Sequence, residues 1–119
     1  MLTVGVDMIE IERIQAVVDR RGQRFLDRIY TPRELSYCRG RIPELAVRFA
    51  AKEAIAKALG TGIRGLSWRE MEVVPDRRGK PTVALHGRAA ERARALGVLE
   101  WAISLSHARE HALAMVAAR

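Results

Sequence analysis

The sequence predicts one α+β domain, with helices concentrated in its first half and antiparallel strands in its second. An alanine-rich run starts at Pro43 and stops at Gly60, which is typical of one long helix. Residues 101–107 and 111–118 alternate in side-chain character and are joined by three residues, which is typical of a β-hairpin. We therefore expect an antiparallel sheet with helices packed on one side and one long central helix.

The first thirty residues predict one strand and two helices. Residues 2–8 form an apolar run that predicts a buried strand with Asp7 at its end. Residues 10–20 carry apolar side chains at helical spacing, and residues 22–30 predict a second, shorter helix. We expect the strand and both helices to contribute to one core.

Residues 31–34 predict the start of a helix. Thr31 is a suitable N-cap, Pro32 fits the first helical position, and Glu34 completes a capping box. This helix is expected to end near Gly40.

Between the long helix and the C-terminal hairpin, the pattern predicts two further strands and a helix. Residues 60–65 read as a loop and residues 66–74 as a strand. A turn at 75–80 leads to a partner strand at 81–85, and residues 87–97 predict a mostly polar helix. No repeat or linker interrupts the chain, so we expect a single domain over residues 1–119.

The excess of basic residues indicates that the binding partners are anionic. Lys and Arg number 21 against 14 acidic residues, giving a net charge of +7. Such a surface attracts anions, whether nucleic acid, phosphorylated metabolites, acidic proteins or acidic membranes. No apolar run is long enough to span a membrane, no signal sequence is evident, and the only cysteine is Cys38. We therefore expect a cytoplasmic protein without an internal disulfide.

The long helix carries four charged residues among apolar ones. At about 100° per residue, Glu53 and Lys57 share one line of the helix, and Arg48 shares another with Lys52. Both lines can be ordinary surface pairs at i, i+4 spacing. They can also mark a site that handles phosphate and metal.

A second carboxylate, Asp7, bears on this choice. A carboxylate in an otherwise apolar strand must be solvated, paired or bound to a metal. Asp7 could form a turn or cap the next helix; alternatively, Asp7 and Glu53 could together hold Mg²⁺, which favours one or two protein carboxylates. Both interpretations stay open on these residues alone.

The first strand of the C-terminal hairpin has two unlike faces. Alternation places large side chains on one face, with His107 at its end, and the small residues Ala102, Ser104 and Ser106 on the other. The hydroxylated face suits a ligand or the backbone of another subunit. His107 could contact an anion or simply lie at the surface.

Three stretches together resemble a known family. They are GVDMIEIERI (5–14), RFAAKEAIAKALGTG (48–62) and SLSHAREHALAMV (104–116), with the turn Gly79-Lys80-Pro81 in addition. In order, spacing and chain length they are similar to holo-acyl-carrier-protein synthase, the short bacterial family of 4′-phosphopantetheinyl transferases.

The resemblance implies a reaction. A serine of apo acyl carrier protein attacks the β-phosphate of coenzyme A in the presence of Mg²⁺, phosphopantetheine is transferred, and adenosine 3′,5′-bisphosphate leaves, in the service of fatty acid biosynthesis. By position, Asp7 and Glu53 would hold Mg²⁺. Glu53 would also orient or deprotonate the serine, directly or through metal-bound water. Lys57 would neutralise or protonate the departing phosphate.

The resemblance also implies binding surfaces. The residues expected to bind coenzyme A are Arg48, Lys57, Gly60, Lys80, Pro81, Ser104 and His107. The residues expected to dock the acidic carrier protein are Arg13, Arg24, Phe25 and Arg28. A homotrimer with active sites between subunits is implied as well.

Two alternatives remain at this stage. One is a small basic nucleic-acid-binding protein, although two Trp, two Tyr and two Phe are few for stacking bases. Trp68 and Trp101 are also expected to face inward. The other is a coenzyme A binder without catalytic activity, against which the presence of both carboxylates counts.

Overall fold

A computed structural model describes residues 1–119. The elements in chain order are β1 (Thr3–Glu10), α1 (Ile11–Arg21), α2 (Gln23–Ile29), α3 (Pro32–Cys38), α4 (Ile42–Ala58), a 3₁₀ turn (Trp68–Glu70), β2 (Met71–Pro75), β3 (Pro81–Leu85), α5 (Gly87–Leu96), β4 (Trp101–His107) and β5 (His111–Ala118). The α+β prediction with a long central helix is confirmed.

The strands form two antiparallel sheets. The larger one has the order β1-β5-β4, and β2 pairs with β3 in a separate hairpin. In the larger sheet Asp7 pairs with Ala114, which pairs in turn with Leu105. This register places Asp7 on one edge strand and the C-terminal half of β4 on the other.

Helix α4 lies across one face of the larger sheet and is buried on most of its circumference. Its alanines at 46, 50, 51, 54, 56 and 58 are at most 2% exposed. The small side chains let the sheet approach closely, and Gly5 shows how closely: a methyl group added there would collide with the carbonyl oxygen of Ala54. Thr3 Oγ1 also donates to Ala58 O at 2.8 Å. This contact fixes β1, and Asp7 with it, against the C-terminal half of α4.

The prediction of a buried first strand ending at Asp7 is wrong in two respects. The strand continues to Glu10, so Asp7 lies in its middle. Val4, Val6 and Met8 are 66, 54 and 62% exposed, because α4 covers only the face to which Gly5 and Asp7 belong.

The other side of the larger sheet, here called the outer sheet face, is covered by no element of this chain. Its three cross-strand rows are Val4–Ala117–Ala102, Val6–Met115–Ser104 and Met8–Leu113–Ser106. The expected small and hydroxylated face is therefore correct for β4 alone, since β1 and β5 add exposed valine, methionine and leucine.

The capping box at Thr31 is confirmed, whereas the strand expected over 66–74 is too long. Glu34 N donates to Thr31 Oγ1 at 3.2 Å, and Thr31 N donates to Glu34 Oε1 at 2.9 Å. Residues 68–70 form a 3₁₀ turn because Ser67 and Glu70 make a second capping box, and the strand starts only at Met71. No helix is both long enough and apolar enough to cross a membrane.

Candidate active site

Asp7 and Lys57 form an ion pair between β1 and α4. Lys57 Nζ donates to Asp7 Oδ1 at 3.0 Å and to the carbonyl oxygen of Val6 at 3.0 Å. An ammonium group has three N–H donors, so two of them fix Lys57 against β1 and one remains for a ligand. The side chain of Lys57 is half exposed, which leaves it accessible from solvent.

Glu53 lies one helical turn before Lys57 and shares its charge environment. Burial raises the pKa of Glu53, the negative charge of Asp7 raises it further, and the positive charge of Lys57 opposes the rise. The structure thus brings together Asp7, Glu53 and Lys57, three predicted site residues from distant parts of the chain. Lys57 makes its ion pair with Asp7 and not with Glu53, so the simple i, i+4 surface pair does not form.

This donor set fits a magnesium ion. The negative charge of Asp7 helps to raise the pKa of Glu53, and only one lysine lies beside the two carboxylates, so a bound cation would stabilise the ionised form of Glu53. No group of three or more potential metal-ligating side chains exists in the chain, so a zinc-type cage is not available. Mg²⁺ commonly uses one or two carboxylates and completes its shell with water and substrate phosphate oxygens.

The second charged line of α4 is not a surface pair. Lys52 is completely buried and donates to Glu34 Oε1 at 2.8 Å, to Met71 O at 2.8 Å and to Trp68 O at 3.2 Å. Burial lowers the pKa of Lys52, while the charge of Glu34 opposes that effect. The interpretation of Arg48 and Lys52 as an ordinary surface pair is therefore wrong, because Lys52 instead joins α4 to α3 and to the start of β2.

A pocket of about 360 Å³ opens between α3, α4, the β2–β3 turn and β4. Five of the residues expected to bind coenzyme A line it: Arg48, Lys80, Pro81, Ser104 and His107. Tyr37 and Glu44 line it too, and sequence reasoning missed both. The available signal for Glu44 was its position four residues before Arg48 on the same helix.

Arg48 is the most constrained cation of this pocket. Its residue is only 3% exposed, and Nη1 donates to Glu44 Oε2 at 2.9 Å. The guanidinium carbon stands 4.3 Å from the centre of the Tyr37 ring, a favourable cation–π contact. Arg48 Nε is the one buried side-chain polar atom without a partner, and such atoms call for an explanation.

Lys57 and Gly60 do not line this pocket. Gly60 follows α4 with φ of +81°, in the left-handed region that favours glycine, and lies beside Arg92. Glu53 points about 140° away from Arg48 around the helix axis. Asp7 is separated from Leu105, a wall of the pocket, by the whole of β5. The cluster of Asp7, Glu53 and Lys57 and the pocket therefore face different sides of one chain.

The expected carrier-docking residues border two adjoining depressions on α1 and α2. Arg13 and Phe25 line one, and Arg24, Phe25 and Arg28 line the other. The floor includes Phe49, which stacks on Trp68 with ring centres 4.9 Å apart. The surface thus consists of arginines around aromatic side chains. The sequence did not indicate that Phe49 would line both depressions.

Comparison with known proteins identifies the class. The model of the 4′-phosphopantetheinyl transferase superfamily matches residues 3–116. The chain belongs to this superfamily.

Its relatives narrow the assignment to one family. The holo-[acyl-carrier-protein] synthases of Herpetosiphon aurantiacus and Dehalococcoides mccartyi are both 50% identical to it, over 98% and 100% of this chain and 97% and 99% of theirs. A solved holo-[acyl-carrier-protein] synthase from Helicobacter pylori, in complex with coenzyme A, superposes with a TM-score of 0.89 at 30% identity and covers 98% of this chain and 99% of that one. The enzyme from Neisseria meningitidis gives 0.88 at 38% identity, with coverage of 98% and 97%. The chain is a member of the holo-[acyl-carrier-protein] synthase family, which confirms the resemblance and selects the enzyme among the three hypotheses.

Proposed function

We propose that this protein transfers 4′-phosphopantetheine from coenzyme A to a serine of apo acyl carrier protein. The family membership supports this reaction class, and coenzyme A is the ligand of the related Helicobacter pylori enzyme. The observation that carries the proposal is the cluster of Asp7, Glu53 and Lys57, in which residues 50 positions apart are in direct contact.

In this scheme Glu53 accepts the proton of the carrier serine. Glu53 is only half-buried, so its carboxylate can reach a serine that the carrier presents from solvent, and a carboxylate within hydrogen-bond distance of a hydroxyl can accept its proton. The serine oxygen forms a bond to the β-phosphorus of coenzyme A, and the bond from that phosphorus to the oxygen of the 5′-phosphate breaks. Adenosine 3′,5′-bisphosphate is then the leaving group.

Lys57 stabilises the departing phosphate with its remaining N–H donor, while its two bonds to β1 keep the ammonium group in place. Asp7 and Glu53 would together hold Mg²⁺. When bound, the cation neutralises negative charge on the pyrophosphate and so lowers the cost of bringing a nucleophile to it.

We further propose that the nucleotide end of coenzyme A occupies the pocket lined by Arg48, Lys80 and His107, and that one protomer supplies this pocket while its neighbour supplies the cluster of Asp7, Glu53 and Lys57. The opposite placement of the two groups on one chain supports a site shared between copies. The outer sheet face supports association, because exposed apolar patches of this kind are typical of interfaces. The homotrimer itself follows from the family resemblance.

The acidic carrier protein is proposed to dock on the arginine-bordered depressions of α1 and α2. Opposite charges accelerate encounter and fix orientation, and the aromatic floor offers an apolar anchor. A role in fatty acid biosynthesis in the cytoplasm is part of the same proposal.

Mass spectrometry tests the proposal directly. Purified protein, apo carrier, coenzyme A and Mg²⁺ should raise the carrier mass by one phosphopantetheine group. Glu53→Gln should abolish the shift without unfolding the protein, while Glu91→Gln, the same change on the exposed side of α5, should not. A mass shift that survives Glu53→Gln would remove Glu53 from the mechanism.

A further inference from the structure

The nucleotide pocket contains one carboxylate among its basic groups. Glu44 Oε2 lies 2.9 Å from Arg48 Nη1, and Glu44 Oε1 lies 3.5 Å from His107 Nε2. Each oxygen of one carboxylate therefore faces a different basic side chain. Lys80 is the third basic lining residue, and it makes no ion pair within the chain.

This arrangement is what a bound phosphate group would make. An arginine and a neighbouring basic side chain are a common way to hold phosphate oxygens. Here the carboxylate of Glu44, whose side chain is 21% exposed, takes the place of a phosphate: it pairs with Arg48 and lies beside His107.

Arg48 explains why a carboxylate is needed when no ligand is bound. The guanidinium is almost completely buried, and a buried charge that lacks a partner is strongly unfavourable. Glu44 is its only acidic partner, and Nε remains without any partner at all. The pairing satisfies Arg48 incompletely, so hydrogen-bonding capacity is left for a ligand.

We propose that Glu44 is an internal competitor of the phosphate: in the free protein it neutralises Arg48 and lies beside His107, and it must give up or share these contacts when a phosphorylated nucleotide binds. This inference rests on the proposed function for the identity of the ligand. Glu44 then sets the affinity for the nucleotide, since its negative charge lies beside the incoming phosphate and repels it. The same residue stabilises the free protein and weakens its complex.

The proposal makes two opposite predictions for Glu44→Gln. The free variant should melt at a lower temperature than the unaltered protein, because Arg48 loses its counter-charge. Its dissociation constant for adenosine 3′,5′-bisphosphate, measured by isothermal titration calorimetry, should fall by about tenfold, because a like charge is removed from the site. Its KM for coenzyme A should fall as well.

Controls separate this effect from a general change in charge or fold. Glu91→Gln removes the same charge from α5 and should leave the dissociation constant unchanged. The dissociation constant for adenosine, which has no phosphate, should be the same for the unaltered protein and for both variants. If Glu44→Gln does not fold, Glu44→Ser provides a second neutral side chain and should tighten binding in the same way.

Unchanged bisphosphate binding by the neutral variants would overturn the proposal. Weaker binding would overturn it as well, because Glu44 would then serve to hold Arg48 in position for the ligand. Absence of bisphosphate binding by every form would overturn it too. Failure of the proposed function has a different signature, since the unaltered protein would bind the bisphosphate and yet leave the mass of every apo carrier unchanged.

Discussion

Lys57 Nζ lies 3.0 Å from Asp7 Oδ1, and this contact joins the middle of the first strand to the last turn of the central helix. It is possible because Gly5 lets α4 approach β1 until Ala54 O touches the strand. Two of the three N–H donors of Lys57 are spent on β1. The lysine is therefore fixed before substrate arrives, which is the arrangement expected of a group that stabilises charge in a transition state.

Replacing Lys57 by methionine should lower kcat by roughly 10²- to 10³-fold, as removal of one such charged donor does in other enzymes. Methionine is unbranched and only one atom shorter than lysine, and it removes the charge. Steady-state kinetics on apo carrier should show the loss mainly in kcat, and a change confined to KM for coenzyme A would assign Lys57 to ground-state binding alone.

Asp7→Asn should lower the pKa of Glu53 in the metal-free protein. Burial is the main cause of the raised pKa of Glu53, and the negative charge of Asp7 raises it further. Removal of that charge should therefore reverse part of the shift. Nuclear magnetic resonance titration of the Glu53 carboxyl carbon measures the change. Lys57→Met should move the pKa in the opposite direction, and a titration insensitive to both variants would mean that the three groups are not close together in solution.

Glu72 should contribute to stability in a pH-dependent way. Burial opposes its ionisation, but hydrogen bonds from Thr31, His86 and Arg33 outweigh burial and lower the pKa of Glu72 from its ordinary value of 4.5 to about 2. A carboxyl with a depressed folded pKa stabilises the fold above its unfolded pKa, and that stability is lost as pH falls from about 4.5 towards 2.

The lowered pKa of Glu72 corresponds to an upper limit of about 3–4 kcal/mol of stability at neutral pH. Denaturant unfolding at several pH values should therefore show a steeper acid loss in the unaltered protein than in Glu72→Gln. Equal acid sensitivity of the two proteins would show that the hydrogen bonds around Glu72 do not favour its ionised form.

Val6→Lys on the outer sheet face should prevent association of the subunits. Val6 is 54% exposed and lies in the row with Met115 and Ser104, so a charge there would be buried in any assembly that covers this face. Light scattering after size-exclusion chromatography should give an oligomer for the unaltered protein and a monomer without transfer activity for the variant. An unaltered protein that is monomeric and active would refute the shared site.

Much of the fold could be predicted because its signals are local. The Thr31 capping box, the ends of α4 and the β4–β5 alternation depend on neighbouring residues, and each is found where it was expected. The start of β2 was missed because the capping box of Ser67 and Glu70 outweighs the apolar alternation there.

The errors arise where a residue's environment depends on distant parts of the chain. Lys52 resembles any surface lysine of a helix until Glu34 and the carbonyl oxygens of Trp68 and Met71 surround it. The apolar residues of β1 have the sequence pattern of a buried strand. Val4, Val6 and Met8 are nevertheless exposed, because they belong to the face of the sheet that no element of this chain covers. Glu44 gave only a weak signal, since its importance comes from a third element, the end of β4 with His107.

The central claim is that Asp7 and Glu53 hold one divalent cation beside coenzyme A. Anomalous diffraction from a crystal grown with Mn²⁺ and coenzyme A measures this directly, because manganese can replace magnesium and its position can be located independently of the protein. We predict a single strong peak within bonding distance of both carboxylates. A peak bound to other residues, in crystals of protein that is active with Mn²⁺, would contradict the account.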